Sequence, residues 1–217
     1  MQAPVTADSR LEADGGTVVF SDDFKDPSSG WFTGTAASGT TYQYSSAGYV
    51  ITGKESLHHL SLAPYSRRLA QLSLETSATQ TFGAPNGAGF GVVCDTGQGS
   101  SEVHYSLLVL QPGTWFLERT DGPVSPTNGV TILKQGTALG IPGPTPLRIT
   151  GMCATLADGH TIRLALFVNG ILAADTTDST TETVVGWVGG IVTSTRAGQV
   201  TTVTFTKFEE RDLSGRG

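Results

Sequence analysis

Apolar positions between residues 17 and 213 recur at every second residue, in short runs separated by Gly, Asn, Asp and Ser. A period of two places alternate side chains on opposite faces of a strand, and helical periodicity is nearly absent. "GTVVFSDDF" opens the series with Val18 and Phe20 on one side. "TYQYSSAGYVITG" predicts two strands around Ser45 to Gly48, followed by "LHHLSLA" and "LAQLSLETSA", where Leu69, Gln71 and Ser73 alternate with Ala70, Leu72 and Leu74. "GAGFGVVCDTG", "VHYSLLVLQPGTWFLERTDG", "TPLRITGMCATL", "IRLALFVNGILAAD", "VVGWVGGIVTST" and "VTTVTFTKFEERDL" complete the set.

Turn chemistry reinforces the pattern. Asn86-Gly87, Asp121-Gly122, Asn128-Gly129, Asp158-Gly159 and Asn169-Gly170 are pairs that tolerate the positive φ of tight hairpins. The chain is therefore expected to be an all-β, antiparallel meander or jelly roll. Residues 17–213 are read as one domain, residues 1–16 as a flexible arm or linker and 214–217 as a tail. "DGPVSPTNGV" and "GTALGIPGPTPL", rich in Pro and Gly, read as ordered surface connections.

Composition narrows the function. Charged residues are only 15% of the 217, Gly numbers 28, and the formal net charge is -6. With no basic run to displace counterions, nucleic-acid binding is excluded. No stretch approaches the roughly 20 apolar residues of a membrane helix. "MQAPVTADSR" lacks the charged and apolar regions of a signal peptide, as at a start introduced for expression or a mature start after a leader has been removed. Cys94 shares a strand face with Phe90 and Val92, and Cys153 with Leu147, Ile149 and Gly151. Both point inward, so a disulfide is expected if their strands neighbour or face each other, with two buried thiols as the alternative.

The order "FSDDFKDPSSGW", "GAGFGVVCD", "HYSLLVLQPGTWFLER", "LRITGMC", "IRLALFVNGILAAD", "GWVGGIV" and "VTFTKFEERDL" resembles the concanavalin A-like lectin/glucanase superfamily. The nearest branches are the laminin-G-like and 3-keto-disaccharide hydrolase-like domains of exported lipoproteins and bacterial membrane-protein ectodomains, notably in actinobacteria. The resemblance implies a two-sheet jelly-roll sandwich with a concave sheet able to hold an extended ligand. It also implies that "SDDF" pairs with "KFEERDL" and that Trp31 plugs the sandwich edge. The paired-carboxylate strand motif of the glucanase branch is missing.

Candidate chemistry follows. Glu55, Glu75, Glu102, Glu118 and Asp121 look isolated, and Asp175 and Asp178 lie in a Thr-rich stretch, so no glycosidase pair is evident. His58 and His59 project to opposite faces, His104 stands alone, and His160 sits in a turn beside Asp158, which argues against a zinc site or catalytic triad. The resemblance suggests a structural calcium held by Asp22, Asp23, Asp26, Glu209 and Glu210. Their plainer role is a turn and a solvated edge strand. Sugars stack on aromatic faces, and Tyr42, Tyr44 and Trp115, with Arg119 beyond, are the candidate ligand surface. Tyr105 and Trp187 read as packing residues. The sequence thus predicts a non-catalytic extracellular domain, tethered in the full-length protein, that binds a glycan or cell-surface protein. A hydrolase of a modified disaccharide or cell-wall glycan, and a structural or sensor ectodomain, are the alternatives.

Overall fold

The computed structural model describes residues 15–54, 58–64, 67–84, 88–96, 102–110, 113–122, 129–137, 146–181 and 183–214. In chain order the strands are β1 (Thr17–Asp22), β2 (Gly34–Thr35), β3 (Thr41–Ser45), β4 (Gly48–Lys54), β5 (His58–Leu62), β6 (Gln71–Phe82), β7 (Ala88–Asp95) and β8 (Val103–Leu110). They continue with β9 (Thr114–Asp121), β10 (Val130–Thr137), β11 (Leu147–Thr155), β12 (Thr161–Val168), β13 (Ile171–Ser179), β14 (Val188–Thr195) and β15 (Val200–Asp212). Among the described residues there is no helix, and so none long and apolar enough to cross a membrane.

Two antiparallel sheets form a sandwich. A nine-stranded sheet runs β13-β12-β11-β6-β15-β4-β3-β2, with β1 also on β15; a six-stranded sheet runs β10-β9-β8-β7-β14-β5. One edge of β15 is shared: β4 takes Val200 to Phe205 and β1 takes Phe208 to Asp212. The expected pairing of the two ends of the domain is present, with Asp22 opposite Phe208. β15 is thereby a central strand rather than the solvated edge anticipated for it.

Alternation builds the core. Leu72 and Leu74 of β6, Phe90 and Val92 of β7, Leu107 of β8, Ile149 of β11, Leu164 and Leu166 of β12, and Phe205 and Phe208 of β15 meet between the sheets, all buried. Cys94 of β7 and Cys153 of β11 are joined by a disulfide across this core, Cα atoms 6.5 Å apart, and so covalently tie one sheet to the other. Trp31 plugs one edge, ringed by Phe20, Phe24, Tyr49 and Phe208.

The turn at the end of β12 has Asn169 at φ 52° and Gly170 at φ 81°, the two left-handed residues of a tight hairpin. Gly122 and Gly159 also take positive φ, whereas Gly129 does not. Asn86-Gly87 and Asn128 lie outside the described residues, as do most of the arm, the last three residues of the tail and Glu55. β10 fills residues 131–135, for which no element was anticipated, and overlaps the ends of the surface connections on either side. It is an edge strand on β9 with every residue exposed or half-buried, so no buried face imposed alternation on its sequence.

Candidate functional site: the outer face of the six-stranded sheet

Residues of β7, β8, β9, β14 and β5 that do not enter the core face outward together. They include Val93 and Asp95, His104, Ser106 and Leu108, Glu118 and Thr120, Val192, and His58 and Leu60. Register aligns them in rows: Glu118 is opposite Ser106 and Ser106 opposite Val93, while Thr120 is opposite His104 and His104 opposite Asp95.

The sheet is bent. β9 and β5 are four places apart in the sheet order, about 19 Å in a flat sheet, yet His58 Nε2 lies 2.9 Å from Glu118 Oε2. Two side chains of this length bridge the strands only if the sheet curls so that this face is concave. Glycines permit the curl. A Cβ at Gly91 would overlap the carbonyl oxygen of Leu107, and one at Gly190 would come 2.6 Å from that of Ser61. Beneath the bridge, Val93, Leu108 and Val192 form a small apolar floor with Leu60 packed on it, each of the three no more than 1% exposed.

Beyond this floor the face turns polar. Asp95, Glu102 and His104 each offer a ligating atom, and the three atoms lie within 4.8 Å of one another. His104 Nδ1 is 3.5 Å from Asp95 Oδ1 and its Nε2 is 3.6 Å from Glu102 Oε1. Among the described residues neither ring nitrogen has a hydrogen-bond partner. At least one of them carries a proton, and an unsatisfied buried donor costs about 1–3 kcal/mol. Burial first, then the neighbouring Asp95, pushes the Glu102 carboxyl above its ordinary range. Glu102 is also the point of access, with 19% of its side chain exposed against 1% for Asp95. Its carbonyl accepts a hydrogen bond from Gly122 N–H.

The residues anticipated as a ligand surface lie elsewhere. Trp115 and Tyr42 are each only 6% exposed, which corrects their expected exposure. Trp115 faces the core under Gly136, where any Cβ would overlap the indole. Tyr42 packs edge-on against Phe32, and burial pushes its phenol up to about 12. Tyr44 is half-buried, its hydroxyl 2.8 Å from Ser29 Oγ and accepting from Trp31 N–H. Arg119 bridges the sheets: its guanidinium donates to Asp121, Asp178 and the carbonyl of Ser179, and Asp178 accepts from Tyr105 as well. Alternation identified the shared face of Tyr42 and Tyr44 correctly, but that face is the inward one.

The five carboxylates anticipated for calcium do not converge. Asp22 accepts from Phe24 N–H, Ser29 Oγ and Trp31 Nε1. Asp23 pairs with Lys25, and Asp26 caps Ser28. Glu209 contacts Lys207 and Arg211 on the outer face of the nine-stranded sheet. Glu210 points the opposite way, into the core beside Leu74 and Gly189, fully buried, and burial pushes its carboxyl up to about 7. Each is engaged by its own neighbours or sealed from the others, so six oxygens for one calcium are not assembled here. His59 projects opposite to His58 as expected; it contacts Thr40 Oγ1 at 3.0 Å, and burial depresses its imidazole to about 4. Sequence reasoning missed the Asp95–Glu102–His104 grouping because Glu102 precedes β8 and Asp95 ends β7. Only the register of the two strands unites them.

No family model matches the chain, and no curated protein matches it in sequence. Solved structures do match in fold. A protein of unknown function with a galectin-like fold from Bacillus subtilis superposes with a TM-score of 0.62 at 12% identity, covering 91% of this chain and 97% of the other. A glycoside hydrolase family 16 endo-glucanase from Bacteroides ovatus gives 0.55 at 9% identity, over 88% and 99% of the two chains. Alginate lyase vAL-1 from Chlorella virus gives 0.51 at 10% identity, over 83% and 91%. The chain has the jelly-roll sandwich fold of the concanavalin A-like lectins and glucanases.

Proposed function

We propose that this chain is an exported recognition domain that binds a neutral saccharide at the acidic end of its concave sheet. The observation that carries the reading is the concentration of carboxylates there: Asp95, Glu102 and Glu118 share the face. Carboxylates accept hydrogen bonds from sugar hydroxyls and repel uronates, so the charge selects against an acidic polymer. Structural relatives whose names point to polysaccharides, an endo-glucanase and an alginate lyase, support the glycan assignment, and the acidic face favours the glucan type. The disulfide is compatible with an oxidising compartment, which supports export and tethering outside the cell.

Hydrolysis is the second reading, since several carboxyls share one face. A retaining glycosidase holds its two carboxyls about 5–5.5 Å apart, with the reacting sugar carbon between them. The Asp95 carboxyl is only 1% exposed and within 4.8 Å of that of Glu102, so no sugar carbon reaches between the two, which favours binding over cleavage. Titration of neutral and uronate oligosaccharides against the wild type and Glu102→Gln tests the proposal. Binding of neutral oligosaccharides, weakened about tenfold or more by the substitution, is expected. A preference for uronates, indifference to the substitution, or release of new reducing ends would overturn it.

A further inference from the structure

The Asp95–Glu102–His104 grouping does not need a sugar to be explained. His104 is 4% exposed, and its two ring nitrogens are aimed at carboxylates on either side at 3.5 and 3.6 Å. Those separations are long for a hydrogen bond, and neither nitrogen makes one among the described residues. A single ion takes only one of the two nitrogens, and from that nitrogen the nearer carboxylate oxygen lies close to the spacing of two ligands on one ion: bonds of about 2.1 Å at a tetrahedral angle put ligand atoms about 3.4 Å apart. The charge also fits, because a dication balances two carboxylates that otherwise meet in a nearly dry site.

We infer that Asp95, Glu102 and His104 form a site for one divalent transition-metal ion of the zinc class. One imidazole nitrogen and two carboxylate oxygens make a mixed N/O set. Imidazole suits zinc and its neighbours, whereas calcium and magnesium call for oxygen ligands alone. The remaining separation, up to 4.8 Å, closes by about an ångström through rotation of Glu102, the one ligand that lies outside a strand. Three protein ligands leave a fourth position facing the rim, where Glu102 is exposed, for water or a hydroxyl oxygen. The strands supply rigidity: Asp95 and His104 are directly opposite one another in the β7–β8 ladder.

The site shares Asp95 and Glu102 with the proposed saccharide face, and its test uses no sugar, so that either can fail without the other. The full chain is stripped with a chelator and titrated calorimetrically with zinc chloride, and with cobalt chloride followed by its visible d–d absorption. One equivalent should bind, and excess zinc should raise the thermal midpoint. Glu102→Gln, nearly isosteric and partly exposed, should weaken zinc binding at least tenfold, as should His104→Gln. His160→Ala, which removes the exposed turn histidine, should leave binding unchanged. Calcium and magnesium should not compete. Failure of the wild type to bind, binding unaffected by Glu102→Gln, binding lost in His160→Ala, or equal competition by calcium would each overturn the assignment. Should His104→Gln not fold, Glu102→Gln and the cobalt spectrum still decide it.

Discussion

His58 and Glu118 stand 2.9 Å apart although three strands separate them in the six-stranded sheet. The contact records how far that sheet curls, and both side chains are nearly buried, at 8% and 12% exposure. The alignment is not that of a hydrogen bond, since Glu118 Oε2 has no hydrogen-bond partner among the described residues, so the pair acts through close packing, with charge added when the imidazole is protonated. A double-mutant cycle with His58→Ala and Glu118→Ala, read by urea denaturation, should give a coupling of about 1–2 kcal/mol. Additive effects would mean that the bridge does not hold the bend.

The disulfide closes a loop of 59 residues between the sheets. Cys94→Ser/Cys153→Ser should lose about 2–4 kcal/mol in chemical denaturation, with the fold retained at low temperature. Equal stability with and without the bridge would show that the core alone fixes the sheets.

Glu210 sets a pH dependence of known sign. Its folded-state pKa of about 7 lies above the ordinary 4.5, so below pH 4.5 it is protonated in both states and has no effect. Between pH 4.5 and 7 the unfolded chain ionises while the folded one does not, and stability falls as pH rises. Above 7 the loss is complete, about 3 kcal/mol. His59 acts oppositely: its pKa, lowered to about 4 from 6.5, removes stability as pH falls from 6.5 to 4. Glu210→Gln should therefore be more stable than wild type at pH 8 and equal to it at pH 4. A difference that does not vary with pH would contradict this.

Trp115 belongs to the core. Trp115→Ala should cost about 3–5 kcal/mol of stability, while the saccharide affinity of the fraction still folded stays within twofold of wild type. A large loss of affinity with little loss of stability would return Trp115 to the ligand surface.

Much of the fold was legible because strand alternation and core burial are the same fact. Leu72 and Leu74, Phe90 and Val92, and the Asn169-Gly170 turn all stand where their sequence pattern puts them. β10 was not legible, because an edge strand with no buried face carries no period. The site was mostly hidden for a different reason. Alternation says which residues share a face but not whether that face meets the core or the solvent. Tyr42 and Trp115 turned inward, and Asp95, Glu102 and His104 were joined only by strand register.

The central claim is that the concave sheet holds a neutral saccharide at its acidic end. Amide chemical-shift mapping of the isotopically labelled chain during titration with neutral gluco-oligosaccharides tests it most directly. The account predicts saturable shifts confined to the end of β7, the start of β8 and the end of β9, around Asp95, Glu102, His104 and Asp121. Shifts centred on the outer face of β6 and β11, or none at millimolar sugar, would contradict it.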